Sequence, residues 1–198
     1  MTLAEQYPRI CVYAGSADGL AQDYLDGAFE LGQKLADEGV ELVFGAGKTG
    51  LMGAVADGAL SHGGIVTGVI PENLNQPQLL RAGLTNLEVV STIHVRKARM
   101  SELASAFIAL PGGFGTYEEL FETLTWVQIG IHHKPVGLLN IREYYNPVLQ
   151  LIQHTCDCGF IYPQHCQLVV SASAPTALLT KLAAFQVPQG LDSWITRD

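Results

Sequence analysis

Apolar residues along this chain fall into two alternating textures. Short, nearly continuous apolar runs stand at Ile10–Ala14, Leu42–Phe44, Ile65–Ile70, Leu87–Val90, Phe107–Leu110, Val136–Leu139 and Leu168–Val170. Between them lie longer segments with helical spacing, near 21–38, 50–62, 94–104, 117–130, 144–158 and 175–185. Runs that are apolar on both faces, each followed by a helix, predict the strands of a parallel sheet covered on both sides. The expected fold is therefore α/β: a doubly wound parallel sheet of about seven strands with helices on both faces. A single domain over residues 1–198 is expected, with a peripheral tail after about residue 188 and no repeat or linker.

In such sheets ligands sit beyond the carboxyl ends of the strands. The predicted strand ends carry Gly15-Ser16, Gly45-Ala46-Gly47, Gly68 with Pro71, and Pro111-Gly112-Gly113. Nearly all the glycine-rich loops thus gather on one edge. The richest is Pro111-Gly112-Gly113-Phe114-Gly115-Thr116-Tyr117-Glu118-Glu119, between an apolar run and a long helical pattern. A glycine turn feeding a helix start leaves backbone N–H groups free at the positive end of the helix dipole, a site for phosphate. Gly112, Gly113 and Gly115 permit close backbone approach. Glu118 and Glu119 then place carboxylates beside that anion, as acid–base work on a phosphorylated substrate requires. The same stretch also has the spacing of a capping box, Thr116 to Glu119, which would merely start a helix.

Net charge is −8 with a pI near 5.1, a balance that argues against nucleic-acid or membrane-surface binding. The 11 Lys and Arg are nevertheless concentrated, with Arg96, Lys97 and Arg99 inside four residues. A solvated basic helix is the plainer alternative for that cluster. No segment has the order of a secretion signal and no apolar run reaches membrane-spanning length, so a cytoplasmic location is expected. Cys11, Cys156, Cys158 and Cys166 are expected to form no disulfide framework, and with His154 and His165 they match no zinc spacing.

Gly45-Ala46-Gly47-Lys48-Thr49-Gly50 satisfies the dinucleotide pattern GxGxxG, but after the second strand, and it fails as a Walker A loop because Leu42 stands where a glycine is needed. It reads as part of the same phosphate-proximal rim in a Rossmann-like sheet. Taken with Tyr13–Gly19, Gly50-Leu51-Met52-Gly53, Gly68-Val69-Ile70-Pro71, His94-Val95-Arg96-Lys97, Pro111–Glu119 and Thr125-Trp126 through Asn140, these loops resemble the LONELY GUY family of nucleoside 5′-monophosphate phosphoribohydrolases. The resemblance implies hydrolysis of the N-glycosidic bond, giving free base and ribose 5-phosphate. Adenine-type cytokinin ribotides are the family's hallmark substrates. It departs from the family at Ala14–Ala17, Ala46-Gly47-Lys48, Ile93 and Gln78, positions that bear on base preference rather than on the reaction.

The resemblance makes Glu119 the catalytic carboxylate, stabilising an oxocarbenium-like ribose or activating water, and Arg96 its catalytic partner. Ser16, Gly45, Gly47, Lys97, Gly112, Gly113, Gly115, Thr116, Glu118 and Thr125 are the expected substrate and phosphate contacts. Glu118 stays open between ribose contact and exposed acid, and His94 is expected in the core. No metal or cofactor is required. A stripe of Leu120, Leu124, Val127 and Ile131, with Phe121, Trp126 and Ile129 off it, points to a homodimer face or to deeper burial. A non-catalytic nucleotide carrier and an NAD-type dehydrogenase remain alternatives from other classes.

Overall fold

The computed structural model describes residues 1–191. Its centre is an all-parallel sheet of seven strands: β1 (Arg9–Tyr13), β2 (Glu41–Phe44), β3 (Val66–Pro71), β4 (Asn86–Val90), β5 (Ala106–Ala109), β6 (Val136–Leu139) and β7 (Val169–Ala172). Their spatial order is β4-β3-β2-β1-β5-β6-β7. The helices are α1 (Leu3–Gln6), α2 (Gln22–Asp37), α3 (Gly50–Ser61), α4 (Ile93–Leu103), α5 (Phe114–Gln128), α6 (Asn146–Asp157) and α7 (Pro175–Ala183). This is the doubly wound α/β architecture that the apolar pattern predicts.

Alternation along each strand sorts side chains into two apolar layers. Ile10, Val12, Leu42, Phe44 and Ile108 join Leu31, Val55 and Leu178 on the face covered by α2, α3 and α7. Cys11, Tyr13, Val43, Phe107 and Ala109 join Met100, Leu120 and Val148 on the face covered by α4, α5 and α6. Each large apolar side chain fully buried this way contributes about 1.5–3 kcal/mol. The inner strands β1, β5 and β6 therefore anchor the fold, whereas the edge strand β4 leaves Leu87 and Val89 exposed.

Several expectations need correction. The helix after Pro111 begins at Phe114, three residues before the expected start, with Gly113 as its cap. Thr116 therefore lies inside the helix and no capping box forms. Cys156 and Cys166 are disulfide-bonded, with Cα atoms 6.1 Å apart. The end of α6 and the turn Pro163–His165 fold back on each other and close a loop that a count of cysteines did not reveal. Cys11 is a buried free thiol and Cys158 an exposed one. His94 is exposed on the first turn of α4 rather than in the core.

α2 and α3 approach so closely that backbone meets backbone. A Cβ at Gly58 would lie 2.0 Å from the Phe29 carbonyl oxygen, and one at Gly32 would lie 2.1 Å from that of Val55. Neither obstacle is a flexible side chain, so the helices themselves must part. Gly58→Ala is expected to destabilise the protein by about 1–3 kcal/mol, the usual cost of overpacking. Equilibrium unfolding in urea checks this, and an unchanged midpoint would contradict the packing described.

Candidate active site

The strand order turns outward in both directions from β1 and β5, so their following helices leave on opposite faces and open a crevice between the two loops. There the loop after β1 (Ala14–Ala17) meets the loop after β5 (Leu110–Gly113). Gly15 N–H donates to the Pro111 carbonyl at 3.0 Å. A Cβ on Gly15 would stand 2.9 Å from the Gly112 Cα, and one on Gly112 would stand 2.1 Å from Thr116 Oγ1. Only glycine lets these segments touch.

The crevice is a cavity of about 530 Å³. Ser16, Gly112, Gly113, Gly115 and Thr116 form its polar end, where α5 starts. The first N–H groups of that helix have no intrahelical acceptor and sit at its positive pole, which favours a phosphate. Leu20, Tyr24, Leu51, Met52 and the ring of Tyr144 supply the apolar wall of the same cavity. Apart from the Leu51-Met52 pair, sequence reasoning missed this wall, because its members read as ordinary core-facing residues in or beside a helix.

Arg96 and Glu119 both line the cavity and both are buried. Arg96 Nε donates to the Val69 carbonyl at 3.1 Å, and its terminal nitrogen lies 3.6 Å from Glu119 Oε1. The guanidinium occupies the space where a side chain at residue 45 would stand: a Cβ on Gly45 would come within 1.8 Å of it. Gly45 thus acts on the site through Arg96 and not by lining the cavity. Gly47 is also off the cavity, its N–H donating to Met52 Sδ at 3.2 Å.

Burial pushes the Glu119 carboxyl up to about 7, with Glu118 and Glu122 adding to the rise, while Arg96 and Lys97 hold it back. A carboxyl with this acidity exchanges its proton near neutral pH, the range in which acid–base catalysis is most effective. α5 carries it one turn and a half beyond the glycine loop. Its neighbour Glu118 points elsewhere by the helical rotation and is exposed.

The other two cations of this cluster are committed. Lys97 binds Glu118 and, at 3.0 Å, Glu122. Burial alone would lower its ammonium's pKa, but those two hydrogen bonds outweigh burial and raise it. Lys97 therefore clamps α4 to α5 and does not line the cavity. Arg99 grips Glu88 through two nitrogens, at 2.6 and 3.0 Å, and Glu102 at 3.3 Å. Thr125 is exposed, with its hydroxyl returned to the Phe121 carbonyl at 2.7 Å. Six residues beyond Glu119, it faces away from the cavity of its own chain. Among the described residues no group of three or more His, Cys, Asp or Glu is placed to hold a metal ion.

A glycine-lined cavity at the switch point of a doubly wound parallel sheet, with a buried Arg–Glu pair beside it, places the protein in the Rossmann-like α/β class. The family described as possible lysine decarboxylase matches residues 52–182. The chain is 45% identical over 184 residues to a cytokinin riboside 5′-monophosphate phosphoribohydrolase of Oryza sativa subsp. japonica, covering 93% of this chain and 76% of that one. It is 43% identical over 182 residues to an enzyme of the same name from Arabidopsis thaliana, covering 92% and 85%. The chain belongs to this family, the LONELY GUY proteins. The molybdenum cofactor binding protein of Rippkaea orientalis shares the fold at 22% identity with a TM-score of 0.69, covering 89% of this chain and 96% of that one.

The raised Glu119 acidity has a consequence for stability. With a folded value near 7 against an ordinary 4.5, the group's favourable contribution is complete below 4.5 and is lost as pH rises through 7. Glu119→Gln, which mimics the neutral acid, is expected to be more stable than wild type at pH 8, by on the order of 3 kcal/mol. The difference should vanish near pH 4. Denaturant unfolding at the two pH values checks it, and a variant less stable at pH 8 would contradict the burial argument.

Proposed function

We propose that the protein hydrolyses the N-glycosidic bond of nucleoside 5′-monophosphates, with adenine or N6-substituted adenine as base, to free base and ribose 5-phosphate. One observation carries this reading: the buried Arg96–Glu119 pair opens onto the same cavity as the glycine-rich start of α5. The 5′-phosphate would bind at Gly112, Gly113, Gly115 and Thr116, with Ser16 across the crevice. Glu119, one and a half turns on, is then about a ribose length from the phosphate. As a carboxylate it offsets positive charge developing at the anomeric carbon and takes a proton from the attacking water. Arg96, held by the Val69 carbonyl with a terminal nitrogen 3.6 Å from that carboxylate, balances its charge. Such a reaction calls on no metal or cofactor. The activity named for the rice and Arabidopsis relatives supports the same reading.

Residues 1–198 act as one domain, as a homodimer in the cytoplasm. Phe114, Phe121, Ile129 and Ile131 are exposed on α5 and just beyond it, an apolar surplus that a second copy would cover. No helix among the described residues is long and apolar enough to cross a membrane. Lys97 and Glu118 enter the proposal as the clamp that keeps Arg96 on Glu119. Gly45 and Gly47 enter as supports of Arg96 and Met52, and Thr125 has no part in the cavity of one chain.

Incubating the pure protein with a panel of purine monophosphates, in the presence of EDTA, should release base and ribose 5-phosphate in equal amounts by chromatography. Absence of base release from every monophosphate, alongside nucleotide binding, would turn the protein into a carrier. Two lost charge-assisted hydrogen bonds at about 1.5–3 kcal/mol each should make nucleosides poorer than their monophosphates by about two to four orders of magnitude in kcat/KM. Equal kcat/KM for the two would remove the phosphate assignment. Glu119→Gln should lower kcat by at least about 10²-fold while staying folded. In wild type, kcat/KM should rise with pH through an apparent value near 7, because the ionised carboxylate is the working form.

A further inference from the structure

Between β6 and α6 the chain makes a turn that nothing in the reaction explains. Arg142 and Glu143, neither a glycine, both take positive φ, 50° and 61°. Consecutive non-glycine residues in that region are strained and persist only where surroundings hold them. Here the surroundings do so. Ile141 is buried against α2, and a Cβ at Gly27 would lie 2.6 Å from it. Arg142 reaches Asp23 at 3.5 Å and lies over the Tyr24 ring. Asn140 Oδ1 accepts the Tyr145 N–H at 2.6 Å.

The turn aims two successive tyrosines at the glycine loop. Tyr144 Oη donates to the Gly112 carbonyl at 2.5 Å, and Tyr145 Oη donates to the Leu110 carbonyl at 2.5 Å. Tyr117 Oη donates in turn to Tyr144 Oη at 3.0 Å, and the Tyr117 and Tyr144 rings lie 8° from parallel. Tyr145 is completely buried. Tyr144 lines the cavity, but its one hydroxyl proton is spent on Gly112, so it has no donor left for a ligand.

We infer that Tyr144 and Tyr145 are positioning residues that fix the peptide planes of the phosphate loop. A trans peptide is planar, so holding the Gly112 carbonyl also holds the Gly113 N–H at the opposite edge of the same plane. Gly112-Gly113 carries no side chain that would resist rotation of this peptide. Pro111, between the two clamped carbonyls, has its own carbonyl held by Gly15 N–H at 3.0 Å. Three successive carbonyls, at Leu110, Pro111 and Gly112, are thus tied before any phosphate arrives. The donors need no rearrangement on binding, and the two tyrosine hydroxyls supply that order without donating to the ligand.

This inference rests on the 5′-monophosphate reading. The test compares wild type, Tyr144→Phe and Tyr117→Phe, with AMP and adenosine as substrates and with calorimetric titration of inorganic phosphate. Both variants keep their rings and lose only the hydroxyl relay. In Tyr144→Phe, KM for AMP and the Kd for phosphate should each rise about tenfold, the equivalent of about 1.4 kcal/mol. The loss in kcat/KM should be at least about fivefold larger on AMP than on adenosine, which has no phosphate for the loop to hold. Tyr117→Phe, whose hydroxyl acts only through Tyr144, should shift the same quantities in the same direction by less, and it decides the matter if Tyr144→Phe does not fold. Unchanged KM and phosphate affinity would overturn the inference. So would an equal loss on AMP and adenosine, which marks a merely structural pair. If wild type releases no base from any monophosphate, the functional reading fails, while the phosphate titration still decides what the tyrosines do.

Discussion

The site depends on one close contact, the meeting of the β1 and β5 loops at Gly15 and Gly112. The sheet reverses direction there, so helices depart to opposite faces and leave a gap that neither fills. A hydrogen bond from Gly15 N–H to the Pro111 carbonyl closes the base of that gap. Both glycines are there for lack of volume: a side chain on either would push apart the segments that form the glycine cradle. Everything chemical then follows from α5, which starts at the cradle and carries Glu119 deeper into the same crevice.

The fold was largely legible in the sequence because its central strands are buried on both faces. Continuous apolar runs such as Phe107–Leu110 admit few other readings, and all seven strands lie within a residue or two of where those runs predict them. Glycine loops announced the carboxyl edge for the same reason: glycine clusters mark places where backbone must do what a side chain would prevent. The exact start of α5 was not legible. Thr116 and Glu119 have capping-box spacing, but the flexible glycines before them let the helix begin at Phe114 instead.

Which charged residues face the cavity was legible only in part. Arg96, Lys97 and Arg99 are adjacent in sequence, yet rotation of about 100° per residue sends them in different directions. Only Arg96 points at Glu119; Lys97 is consumed by Glu118 and Glu122 and Arg99 chiefly by Glu88, all on neighbouring elements. Such pairings join residues far apart in the chain, and a local pattern has no access to them. The disulfide between Cys156 and Cys166 and the tyrosines behind the glycine loop were hidden for that same reason. Each depends on how a turn after α6 or β6 is folded, not on spacing.

The glycine rim and the apolar wall of the cavity have unequal freedom to evolve. Gly15, Gly45 and Gly112 each face backbone or a buried guanidinium at distances no side chain tolerates. Leu20, Tyr24, Leu51 and Met52 project from helices and a loop, and a change of size there alters the shape of the cavity without moving the cradle. Lineages descended from such a chain can explore new ligands by drift in the wall while the rim stays fixed. Chemistry and selectivity thereby become separately heritable, carried by different residues of one small crevice.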